Sequence, residues 1–88
     1  MKSIDVVMAI LKDGLAETGY ESRNTAPYQL DVFKRSGLYL GYIRLINRSK
    51  LTFKVQSRFL GIQEEISLFD PNSIERTLGI LDPFYSPP

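Results

Sequence analysis

The stretch from Tyr28 to Leu60 constrains the fold more than any other, because its residues alternate with the two-residue period of a β-strand and few registers fold it into a meander. A two-residue turn at Ser36-Gly37 sets Val32 opposite Gly41, Leu30 opposite Ile43 and Tyr28 opposite Leu45 on one face. A three-residue loop, Arg48-Ser49-Lys50, then sets Ile43 opposite Val55 and Leu45 opposite Phe53. A two-residue loop there would drive Arg44 against Phe53 in the core. The same register predicts the other face: Phe33 beside Leu40, Asp31 beside Tyr42, Arg44 opposite Lys54, and Leu40 opposite Arg58.

That second face is basic and partly apolar. Like charges directly opposite across strands repel, so Arg44 against Lys54 needs a reason. Either both long side chains bend into water over Phe33, Leu40 and Tyr42, or an anion, a phosphate or an acidic partner, sits between them.

Charge is unevenly distributed along the chain. Residues 1–31 carry three bases and five acids, 32–61 seven bases and no acid, and 62–88 one base and five acids, for a net charge of +1. This near neutrality argues against a nucleic-acid-binding domain, whose isoelectric point is usually above about 9. With neither cysteine nor histidine, the chain has no disulfide, no thiolate nucleophile, no conventional catalytic triad and no ordinary zinc site. No cofactor and no metal are expected. The longest apolar run, Val6 to Leu11, is far short of the roughly 20 residues of a membrane span. The chain is therefore expected to be soluble, unexported and cytoplasmic, without a membrane partner.

The flanks predict two helices. Ser3 is a suitable N-cap, Asp5 favours the positive end of the helix dipole, and Ile4, Val7, Met8, Leu11 and Leu15 follow helical spacing as core residues. This helix ends either near Gly14 or at Gly19. Tyr20 to Pro27 is polar and reads as a connector, and Glu65 to Phe69 as a short strand or extended loop. Asp70-Pro71 starts a second helix running to about Ile80, with Ile74, Leu78 and Leu81 buried, Thr77 at the edge, and Glu75 and Arg76 in water. Asp82-Pro83 ends it. Residues 83–88 form an extended tail that either frays or folds Phe84 and Tyr85 back over apolar surface, such as the strand face around Tyr42. The expected architecture is α+β: a single small domain over residues 1–88, an antiparallel three- to four-stranded meander between an N-terminal and a C-terminal helix, with both helices on one sheet face.

This element order is shared with double-stranded-RNA-binding domains and small toxin ribonucleases. The first would present lysines where this chain has Asp70, Pro71, Asn72 and Ser73, and the second needs a strand histidine. An RNA-recognition sheet would carry a Gly-Phe-rich strand, which Leu38-Tyr39-Leu40-Gly41-Tyr42 is not. The sequence therefore assigns no family.

The open face predicts a non-enzymatic protein-interaction module: a regulatory adaptor, an inhibitor or a small subunit. Phe33, Leu40, Tyr42 and Ile46 would anchor the partner, and Arg44, Lys54 and Arg58 would select an acidic surface. Self-association through this face or through a strand edge is a version of the same expectation. The alternative is a nucleic-acid-binding sheet, with Phe33 and Tyr42 stacking on bases and Arg44, Arg48, Lys50, Lys54 and Arg58 neutralising phosphates.

Overall fold

The computed structural model describes residues 4–59 and 61–86, and for Ile4 and Asp5 the backbone only. The Ser3 cap, the side-chain roles of Ile4 and Asp5, Leu60 at the end of the patterned stretch, and the last two prolines fall outside the described residues. Helix α1 (Ile4–Glu17) leads into strands β1 (Tyr20–Ala26), β2 (Gln29–Lys34), β3 (Tyr39–Asn47), β4 (Thr52–Ser57) and β5 (Gln63–Ser67), and helix α2 (Ser73–Leu81) closes the chain. The strands form one antiparallel sheet in sequence order. The α+β class and the meander between two helices are as expected.

Both helices pack on the face made by Leu30, Val32, Ile43, Leu45, Phe53, Val55 and Ile66. Val7, Met8, Leu11 and Leu15 supply the stripe of α1, and Leu78, Ile80 and Leu81 that of α2. Burying a side chain of this size stabilises by about 1.5–3 kcal/mol, which is why these positions set the strand register. Of the two expected ends of α1 the later is adopted: Thr18 and Gly19 N–H donate to the Leu15 and Ala16 carbonyls. Helix α2 begins after the predicted start, because the Asp70 carboxylate accepts the Asn72 N–H at 2.9 Å and its carbonyl accepts that of Ser73, closing a turn first.

The segment read as a connector contributes the extra strand, β1. It pairs along β2, with Ser22 opposite Val32 and Asn24 opposite Leu30. Apart from Tyr20 at its start, its helix-side positions are polar, so the sequence lacks the apolar alternation that marks a strand. The tail does not reach Tyr42. Tyr85 packs against the core on the helix side, 6.5 Å from the ring of Tyr20. Asp82, almost fully buried, holds it there by accepting the Tyr20 hydroxyl at 2.6 Å and the Phe84 N–H at 2.9 Å, with Lys34 Nζ 3.6 Å away.

The first hairpin departs from its expected turn. Gly37 N–H donates to Lys34 O and Lys34 N–H to Leu38 O, so the loop takes three residues, 35–37, with Gly37 at φ +94 as glycine permits. Val32 still faces Gly41, but Phe33 now faces Tyr39, and Leu40 becomes the extra residue of a β-bulge. The second hairpin keeps the expected Ile43–Val55 and Leu45–Phe53 pairs, then bulges at Ile46 and turns through residues 48–51.

Candidate functional site

Among the described residues, both helices and the tail occupy one side of the sheet, leaving the other face to solvent. Three rows of side chains cross it. The first is Gln29, Arg44, Lys54 and Glu65; the second is Arg23, Asp31, Tyr42, Gln56 and Gln63; the third begins with Glu21, Phe33 and Tyr39. Arg58 lies beyond β4 at the end of the third row, its N–H on the Leu40 carbonyl.

Aromatic residues form the centre. The Phe33 and Tyr39 rings meet at 5.5 Å and 53°, in the range of favourable tilted pairs. The Arg23 guanidinium lies 5.3 Å from the Phe33 centroid, and Arg58 stacks at 5.6 Å on Phe59. Burial raises the Tyr39 hydroxyl above its ordinary pKa, with Asp31 and Tyr42 adding to the shift and Arg58 opposing it. Tyr39 therefore stays protonated at neutral pH and can donate a hydrogen bond.

Of the residues singled out from the sequence, the structure brings Phe33, Tyr42, Arg44, Lys54 and Arg58 onto or beside this face, with Arg44 and Lys54 opposite one another. Ile46 stands at its margin, 47% exposed, in a depression shared with Lys54, Gln63 and Glu65. Leu40 is a correction. It is fully buried among the core residues, because the three-residue loop shifts it by one position and a one-residue shift turns a side chain to the other face. Its place opposite Phe33 is taken by Tyr39.

The remaining basic residues do not form one track with these. Arg48 donates to the Tyr28 hydroxyl and stacks 4.9 Å above its ring. Lys50 lies in the same β3–β4 loop, where its N–H donates to Asn47 Oδ1. Arg58 is at the opposite end of β3, a strand length of about 25 Å away.

Sequence reasoning missed Tyr39, Arg23, Glu21 and Glu65. The first was legible in the Gly37 position, since a three-residue hairpin loop places glycine third. The other residues depend on β1 and β5 being strands. Glu65 matters most, because it lies opposite Lys54 and gives the Arg44–Lys54 pair a carboxylate on its outer side. Among the described residues no cluster of carboxylates could hold a metal ion, and no helix is long and apolar enough to cross a membrane. Comparisons with protein-family models, with curated proteins and with solved structures return no match.

Proposed function

We propose that this chain is a non-enzymatic protein-interaction module that binds an acidic segment of a partner protein through its open sheet face. The observation that carries this reading is the adjacency of an aromatic centre, Phe33, Tyr39 and Tyr42, to the Arg44–Lys54 pair on a face that both helices leave bare. Aromatic residues and arginine are the side chains that carry most of the energy at protein interfaces. Arg23 and Arg58 add charge on either side of that centre.

The same residues are the equipment of a nucleic-acid platform, and the distribution of acids separates the two. Glu21 and Asp31 flank the centre on one side and Glu65 on the other, so a phosphate backbone crossing the strands would meet carboxylates at both margins. A peptide chain with one or two acidic side chains fits this mixed field better.

The test is capture of binding partners from cell extract by the wild-type chain, by Tyr42→Ala and by Arg44→Glu/Lys54→Glu, alongside titration with short single- and double-stranded nucleic acids. A partner lost with either variant, at little cost from moderate salt, supports the reading. Nucleic-acid binding that falls steeply between low and moderate salt favours the alternative. Capture indifferent to all three substitutions removes the face from consideration.

A further inference from the structure

The two outer strands of the sheet differ in how well they are protected. β5 carries Glu64 and Glu65 side by side over five residues, so pairing with a copy of itself would bring carboxylates together. β1 is seven residues long and most of its residues are exposed. Lys34 N–H donates to Leu38 O, and Leu45 N–H to Tyr28 O, so the even-numbered residues of β2 direct their backbone groups at β3. By alternation, Asp31 and Phe33 turn theirs to β1, where they meet Arg23 and Glu21. The N–H and C=O groups of Tyr20, Ser22 and Asn24 therefore point outward, away from the sheet.

We propose that β1 is a self-association edge, on which a second copy of this chain pairs antiparallel about Ser22. In that register Ser22 meets Ser22, Tyr20 meets Asn24, and the outward backbone groups of both strands bond one another. Glu21 of each copy then lies opposite Arg23 of the other on the open face. These are non-hydrogen-bonded pairs, where the two Cα atoms approach to about 4.5 Å and side-chain coupling is strongest. Centring the pair on Arg23 would set arginine against arginine, and centring it on Glu21 glutamate against glutamate. Charge therefore selects one register from those that keep the helices of both copies on the same side. That register carries Gly19 of the second copy opposite Thr25, beside an open groove of about 510 Å³ between α1 and the end of β1. The groove, lined by Met8, Ala9 and Lys12, leaves room for the turn that enters the second copy's β1.

Glu21 and Arg23 lie where the edge meets the open face, but the pairing uses the outward backbone of β1, so the proposal does not rest on the function proposed for that face. Sedimentation velocity on the full chain over a wide concentration range tests it, with Glu21→Arg, Arg23→Glu, the double charge swap and Ser22→Pro. The wild type is expected to reach twice the monomer mass. Each single reversal turns both cross-strand pairs repulsive and should weaken the dimer by about ten-fold or more, whereas the double swap restores the pairing to within about three-fold. Ser22→Pro removes an outward N–H from an edge strand, so it should abolish the dimer while leaving the far-ultraviolet circular dichroism unchanged. A wild type that stays monomeric into the millimolar range overturns the proposal. So does a dimer indifferent to the single reversals and to Ser22→Pro, or a double swap as weak as either single variant.

Discussion

Gly41 is the position where one added methyl group should cost most. It is buried in β3 beside the bulge, with φ +146, a backbone conformation that side chains rarely adopt. A Cβ built there falls well inside van der Waals distance of the Gln56 carbonyl oxygen and 2.7 Å from Leu81 Cδ2. The leucine tip can rotate away, but the carbonyl belongs to the neighbouring strand and moves only with the sheet. Holding alanine at such a φ costs about 1–3 kcal/mol, and overpacking a close-packed site a further 1–3 or so. Gly41→Ala should therefore lose about 2–6 kcal/mol from a total on the order of 4–13 for a chain of this length. In thermal unfolding that is a fall of at least about 8 °C, and urea unfolding should show a lower midpoint at unchanged slope. Gly79→Ala is the control: Gly79 lies in α2 with nothing within 4 Å of an added Cβ, and alanine there should stabilise by about 0.5–1 kcal/mol. A Gly41→Ala melting point within about 4 °C of wild type would refute the close approach of β3 to β4 that this reasoning rests on.

Leu40→Ala should cost about 2–5 kcal/mol and Ile46→Ala under about 0.5, because the first residue is fully buried and the second half exposed; equal losses in urea unfolding would overturn the bulge that turns Leu40 inward. Tyr20→Phe should cost about 1.5–3 kcal/mol by removing the hydrogen bond to the Asp82 carboxylate, whereas Tyr85→Phe should be neutral or slightly stabilising, since its buried hydroxyl has no partner among the described residues. The same contact predicts a pH dependence. Burial pushes the Asp82 pKa up, but the Tyr20 hydroxyl, the Phe84 N–H and Lys34 outweigh it and hold the pKa below its ordinary 3.8. Its contribution is therefore full above that value and drains away as pH falls through the lower folded-state value. Burial, with Asp82 beside it, raises the Tyr20 hydroxyl above its ordinary 10.0, so the tyrosine's contribution is complete below that value and is lost as pH rises beyond it. In Tyr20→Phe the alkaline loss should vanish and the acid limb flatten, which stability measured by urea unfolding across the pH range would show; an unchanged profile would rule the contact out.

The residues that the sequence places well are those whose burial leaves one choice. Ile43 opposite Val55 and Leu45 opposite Phe53 follow from keeping Arg44 out of the core, and both helices follow from stripes that end at Leu15 and Leu81. β1 is hidden because its inner positions, Ser22 and Asn24, are polar at the sheet margin, and its only apolar inward residue, Tyr20, is occupied with Asp82, sixty-two positions away. The open face is legible in part for a related reason. Its central pair depends on one register, but its margins depend on β1, which has no apolar alternation to announce it, and on β5, whose single buried residue, Ile66, announces it only weakly. Leu40 shows how local the limit is, since one extra residue in a turn moves a leucine from candidate contact to core.

The order of the strands also bears on how the chain reaches this structure. Every strand pairs with its neighbour in sequence, so the sheet can zip hairpin by hairpin with short loop closures, which is the topology of fast folding. The long closures come from the ends: Ile74 against Gly14 where the helices meet, and Tyr20 with Asp82. Until α2 arrives, Phe53, Val55 and Ile66 have little covering them on the helix side. A ribosome-bound chain stopped before Ser73 would thus hold a paired but unsealed sheet, and the emergence of α2 would convert it into a closed core.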